Sequence, residues 1–423
     1  MNVTAPDPLD HIAPDDIADA WTTRGLEKIS DGELLRAACR TLSIPRSGEA
    51  NSFTLHAPLE LMARAQLLTS VSARWREPAR QRIARIAAAW SVIDEPAEPI
   101  DANAIDVEPR RSLTEAVRDG DAERADRAFV ALCARRGQDE VVADIVDVVL
   151  PRLGGAAHGA IFLELLPRFR PAGINPALMA RTLLRDIAHH PDHRLHWFDQ
   201  PRPEVADGVS LTDRLVSPTA GSEPSSHFVQ PTMALVDDTG LAHRTLAGVT
   251  EGLSIANARH QLLSIAAMSM LQDAPVNAPY GWTHCLTLPQ ATLAVAHLAS
   301  DAQRAIDVAA TYVLGFRATQ SSGPIDPSWE PDPPSRFVDE VTYLDPPEAA
   351  AMTWHVGPGR RAHTIQQLID HAARHHDAHL AKYTLACLDA ATQDPANERL
   401  FLAAAAYLAA WWRQHDDTDG ASS

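Results

Sequence analysis

The chain has 423 residues, 45% of them apolar and 22% charged, an ordinary globular balance that excludes disorder, collagen-like repeats and coiled coil as whole-chain descriptions. A formal net charge of -18 repels phosphate backbones and anionic lipid, and no basic patch offsets it, so neither nucleic acid nor a membrane is an expected partner. No run of about 18 uninterrupted apolar residues occurs, and the N-terminus is acidic and proline-broken where a signal peptide would be basic and then apolar. A cytoplasmic location is expected. The four cysteines, Cys39, Cys133, Cys285 and Cys387, lie far apart with no CxxC, which predicts buried thiols rather than disulfides or a thiolate zinc site.

Residues 1 to about 20 read as a loose arm and residues 21–423 as one large all-α domain, alanine-rich and multi-helical, with long irregular proline-rich loops. The capping signal at Ser30 opens a first helix. Apolar residues at three- and four-residue spacing then predict helices over 56–71, 77–93, 111–135, 140–150, 158–169 and 176–188, while period-two runs are nearly absent. Residues 196–229 read as an irregular connector with one short helix, after which helices resume over 251–271, 284–299 and 302–314. Between Ser321 and Pro347 stand seven prolines with Trp329, Phe337 and Tyr343 among acids. This 321–347 segment predicts a long structured loop, either a lid over a site or a cover over apolar surface. One long helix is expected over 368–391, followed by an alanine-rich helix through FLAAAAYLAAWW.

Of the 37 basic residues only Lys28 and Lys382 are lysines. Arginine serves wherever solvation or an ion pair is enough, so a surviving lysine points to what an amine alone can do: lose its proton and become a nucleophile, a Schiff base or a carbamate. Lys28 sits in an ordinary N-terminal stretch. Lys382 lies in the 368–391 helix, where His371, His375, His379 and Lys382 fall at i, i+4, i+8 and i+11, near one stripe. Histidine is abundant, at 19 residues. His189, His190, His193 and His196 end a helix and suit its dipole without a metal. His56, His158 and His284 each open an apolar helix; singly such a residue is a hydrogen-bonded core histidine, whereas several converging with His379 form a metal site.

The ordered blocks HAPLELMA, GGAAHGAIF, GWTHCLTLPQA and HDAHLAKYT, followed by the alanine-rich helix, resemble the questin oxidase-like family of helical proteins over about residues 50–412. The resemblance implies oxygen insertion into, or ring opening of, an anthraquinone-type aromatic polyketide or quinone, with dioxygen as co-substrate. It implies non-haem Fe(II) held by His56, His158, His284, His379 and a carboxylated Lys382, with His379 and Lys382 central to catalysis. The N-terminal block lacks the Asn-His-x-Pro-His flavour of the family, and His355 is a substitute for one of the histidines. The Baeyer-Villiger members call for a nicotinamide such as NADPH, although the chain has no strand-GxGxxG-helix unit; Gly357–Arg361 reads as a plain turn.

The chemistry of a carbamate agrees with that ligand set. A protonated lysine repels a divalent cation, whereas its carbamate is an anionic oxygen donor on a long arm. Four imidazoles and one such oxygen leave one position of an octahedron open. Glu60, Asp377 and His375 are read as residues that orient the ligands, and Tyr280, Trp282, Trp329 and Trp354 as pocket walls. Two rival readings remain: a two-metal phosphohydrolase built on the adjacent His376-Asp377 pair, which leaves Lys382 unexplained, and a non-catalytic helical binding protein.

Overall fold

Alanine loses no side-chain entropy on entering a helix and lets helix axes approach closely, and a chain this rich in it folds accordingly. The computed structural model describes residues 9, 12–100, 108–202, 209–336 and 338–419. Among them lie 19 α-helices and no strand, only two isolated bridges. In order they are α1 (Ile17–Thr23), α2 (Asp31–Leu42), α3 (Ser52–Leu68), α4 (Ala73–Val92), α5 (Pro109–Asp119), α6 (Ala122–Arg135), α7 (Gln138–Val149), α8 (Gly159–Leu165), α9 (Arg181–His189) and α10 (Leu211–Leu215). They continue as α11 (Val229–Asp238), α12 (Leu241–Leu246), α13 (Ile255–Gln272), α14 (Thr283–Val295), α15 (Ala302–Gln320), α16 (Pro346–His355), α17 (Pro358–Arg374), α18 (Ala378–Gln393) and α19 (Glu398–Asp419). No helix among the described residues is long and apolar enough to cross a membrane. All four cysteines are free and buried.

Several boundaries differ from expectation for identifiable reasons. The run over 111–135 is two helices, because Gly120 takes φ +79° and Asp121 recaps the chain by accepting from the Arg124 amide. The described part of the expected loose arm is packed: Ile12, Ile17 and Ala20 are buried, and α1 lies on α4. Residues 203–208, within the expected connector, lie outside the described residues. That connector ends at α11, and α11 and α12 were not legible because both are short. The proline-rich loop holds one 3-10 turn, Val341–Tyr343, before α16 begins at Pro346; Phe337 lies outside the described residues.

The largest correction concerns the histidine stripe. The expected 368–391 helix is broken after Arg374: His375 leaves the helical region at ψ 150°, and Asp377 caps α18 by accepting from the amides of His379 (2.6 Å) and Leu380 (3.2 Å). The fully buried Arg64 of α3 makes this break possible. It donates to the carbonyls of Ala372 (2.9 Å), Ala373 (2.8 Å), His375 (2.6 Å) and Asp377 (3.3 Å), groups that a helix end leaves unpaired. His371 and His375 therefore part from His379 and Lys382.

Four helices, α3, α8, α14 and α18, pack on one another in the middle of the molecule. Each brings one histidine within five residues of its start: His56, His158, His284 and His379.

Candidate metal centre

His56, His158, His284 and His379 stand at the corners of a distorted square. Ring centres are 4.4 Å apart for His56–His158, 5.3 Å for His158–His284, 5.0 Å for His284–His379 and 4.6 Å for His379–His56, with a His56–His284 diagonal of 6.4 Å. Nitrogens about 2.1 Å from one shared ion put neighbouring ring centres roughly 4.6 Å apart and opposite ones roughly 6.5 Å in square or octahedral geometry. A tetrahedron would make all the spacings equal. The observed set follows the square.

The backbone decides which nitrogen of each ring carries hydrogen. Nδ1 of His56 lies 2.6 Å from the Ser52 carbonyl, Nδ1 of His158 3.0 Å from that of Gly155, and Nδ1 of His284 2.5 Å from that of Tyr280. A carbonyl only accepts, so each Nδ1 is N–H and each Nε2 of the neutral ring is a bare lone pair. Nδ1 of His379 points at the Asp377 carboxylate, 3.3 Å from Oδ1, with the same result. The Nε2 atoms of His158 and His284 then face each other at 3.2 Å, and Nε2 of His56 is buried without a partner. Lone pairs that converge with no donor between them are a cation site in waiting, and atoms of His56, His158 and His284 lie within 4.8 Å of one another.

Burial, with Lys382 next in weight, drives His56 and His158 well below the ordinary histidine range. Burial and then His379 do the same for His284, and burial and Lys382 lower His379. The four rings are thus neutral, the form that binds metal. Lys382 is 4% exposed and its Nζ has no hydrogen-bond partner; burial brings its amine down to about 7 against the pull of Asp377 and Glu60. Burial is the largest single influence on Asp377 and opposes its ionisation, but His379 beside it, through charge and hydrogen bonds, together with His375 holds the carboxyl well below its usual range.

His158 is delivered by an unusual turn. Gly155, Ala156 and Ala157 all have left-handed φ, at 62°, 52° and 60°, which costs an alanine about 1–2 kcal/mol. At Gly155 a Cβ would sit 2.1 Å from Leu183 Cδ1, so glycine is required there. His284 follows a π-helical turn, Ala278–Trp282, a form that often marks functional sites.

The supporting residues divide. Asp377 orients His379 as expected. His375 accepts from the Asp377 amide at 3.0 Å and pairs with Asp416 at 2.8 Å, so it braces Asp377; its ligand atoms group with His376 and Asp416, not with the four rings. Glu60 does not orient His56; it is clamped by Arg64 (2.7 Å) and Arg82 (2.7 Å) and reaches the site through Arg64 and through its charge, which favours the protonated forms of Lys382 and His379. His355 bonds the Pro331 carbonyl at 2.7 Å and cannot replace a ring of the square.

Of the expected walls, Tyr280 stands edge-on to His379 at 5.0 Å, is 55% exposed, and has Trp412 behind it at 6.3 Å; Trp412 was not singled out from sequence. Trp282 is a fully buried core residue. Trp329 and Trp354 face each other at 6.5 Å, and no ring contact joins either to the four imidazoles. Trp329 instead lines a separate cavity of about 630 Å³ between the proline-rich loop, α16 and α19. His376 approaches Asp416 at 3.6 Å while Asp377 faces His379, so this adjacent pair does not converge as a two-metal hydrolase requires. Gly357 is the N-cap of α17, a plain helix start. No protein-family model, curated protein or solved structure matches the chain.

Proposed function

We propose that this chain is a metal-dependent oxygenase of the questin oxidase-like kind, acting with dioxygen on a flat polycyclic phenol or quinone. Non-haem Fe(II) would be held by His56, His158, His284, His379 and carboxylated Lys382. The observation that carries the reading is the convergence of Nε2 lone pairs and an unpaired amine in a buried core. A buried polar group left unpaired costs about 1–3 kcal/mol, and a cation with an anionic oxygen donor is what satisfies this set together.

Iron(II), when bound, would supply the electron transfer that activates dioxygen. The square spacing of the rings fits a tetrahedral ion poorly, and carboxylated Lys382 would add an oxygen donor to the four imidazoles. The protein's own part begins at Lys382. Its neutral Nζ attacks the carbon of carbon dioxide, an N–C bond forms as one C=O electron pair moves onto oxygen, and the surplus proton on nitrogen leaves to water. Asp377 holds the His379 Nδ1–H and carbonyls hold the other three, so every ring keeps Nε2 free of hydrogen, and ligand atoms of His56, His158 and His284 lie within 4.8 Å of one another. Tyr280, half in solvent with Trp412 behind it, offers an aromatic edge for a flat substrate at the mouth.

Anaerobic loading with Fe(II) followed by metal analysis tests the reading. About one iron per chain is expected, with none in Lys382→Arg, together with oxygen uptake on adding a hydroxyanthraquinone. Two divalent ions per chain would favour the hydrolase instead, and no bound metal a binding protein.

A further inference from the structure

Lys382 has a second neighbourhood. Together with Glu164, Thr287, Gln290 and Asp389 it lines a cleft of about 10 Å³, at the threshold for one small polar occupant such as a water. Gln290 belongs to α14, the helix that carries His284, and is 3% exposed. Its Nε2 is buried with no hydrogen-bond partner, as is Nζ of Lys382. Two unpartnered nitrogens thus belong to side chains that wall the same small cleft.

Carboxylation of Nζ adds two oxygens. One serves the ion; the other is a charged acceptor in a buried place and needs a donor. The imidazoles cannot supply it, because their Nδ1–H groups are committed to Ser52, Gly155, Tyr280 and Asp377. Thr287 donates its hydroxyl to the Thr283 carbonyl at 2.8 Å. Glu164 and Asp389 are both bound by Arg168; burial raises the Glu164 carboxyl to about 7, but the Arg168 contact occupies it. Gln290 is the buried donor of the cleft that has no partner.

We infer that Gln290 is a positioning residue for carboxylated Lys382, its Nε2–H donating to the carbamate oxygen that does not serve the ion. The inference rests on the reading of Lys382 given above and adds to it the residue that fixes the carbamate's orientation.

The test is in-situ carbon-13 NMR of the full chain with ¹³C-bicarbonate and Zn²⁺, a diamagnetic stand-in. Wild type should show one carbamate carbonyl signal that disappears in Lys382→Arg. Gln290→Glu, which keeps the shape but replaces the donor with an acceptor, and Gln290→Leu should each lower the labelled fraction roughly tenfold, the weight of one hydrogen bond to a charged group. Helical content by circular dichroism should stay at the wild-type level, which a merely structural role for Gln290 would not allow alongside loss of label. If one variant fails to fold, the other decides. Wild-type labelling in folded variants overturns the role of Gln290 and leaves carboxylation of Lys382 standing. No label in wild type overturns both.

Discussion

Replacing Arg64 with methionine keeps most of the stem and removes every donor. Arg64 is 0% exposed; it bonds Glu60 through Nε at 2.7 Å and four carbonyls around the α17–α18 break through its terminal nitrogens. Removing one partner of a buried ion pair costs about 3–5 kcal/mol, and stranding carbonyls adds to that unless water enters. Glu60 retains Arg82, which donates at 2.9 and 2.7 Å, so the loss should fall near the lower end, about 3–4 kcal/mol. Urea unfolding followed by circular dichroism measures it, with an unchanged m-value as the sign that only stability has moved. Arg64→Lys should recover less than half, because a compact ammonium cannot span Glu60 and four carbonyls as the planar guanidinium does. In the same variant the start of α18 loosens, and metal affinity should fall roughly tenfold with it. A loss under about 1 kcal/mol in Arg64→Met would refute the claim that this side chain holds the break.

His371 gives a pH dependence. Burial, then the charges of His375 and Arg374, hold its ring down to about 3, and neither ring nitrogen has a partner. The unfolded chain therefore takes up a proton that the folded chain refuses, and stability is full above pH 6.5 and falls as pH drops toward 3, by about 1.4 kcal/mol per unit. His371→Leu should flatten the acid limb of a stability profile by about one proton; superimposable profiles would contradict the reasoning. Asp377→Ala should cost about 1 kcal/mol through the lost cap and weaken metal binding about 10- to 100-fold through the lost hold on His379, read by unfolding and by competition with a chelator. Bound metal at a hundredfold excess over Kd should raise stability by about 2.7 kcal/mol, seen as a melting shift that a chelator reverses. Gly155→Val should lower stability by several kcal/mol, since φ +62° and a Cβ 2.1 Å from Leu183 both oppose it; a variant that melts like wild type would show that the left-handed turn is dispensable.

The all-helical architecture was legible because three- and four-residue periodicity and alanine content are local properties. The four histidines and Lys382 stood out for a different reason: each opens an apolar run or breaks a compositional habit, and the chain uses arginine almost wherever a charge suffices. The break at Arg374–Asp377 was not legible, although Asp two residues before His379 is a good cap, because local pattern favours an uninterrupted helix there. What tips the balance is Arg64, more than 300 positions earlier in the chain. Arg64 and the carbonyls of Ser52, Gly155 and Tyr280 carry no sequence signal of their own, and Glu60, expected to orient the ligands, pairs with Arg64 and Arg82 instead. The assignment of Trp329 and Trp354 to the site's wall failed similarly, since loop composition does not say which surface a loop covers.

The sequence by itself determined that the chain is helical, that its thiols are buried, and that a few imidazoles and one amine lie where packing alone would not ask for them. Only the tertiary structure decided that α3, α8, α14 and α18 bring their histidines to one point; the groups that leave each Nε2 bare are local, carbonyls three or four residues before His56, His158 and His284 and the Asp377 carboxylate two residues before His379. Helix formation follows neighbours three and four residues apart. The meeting of four rings depends on hydrogen bonds and contacts between residues far apart in the chain, and these exist only once the chain has closed on itself.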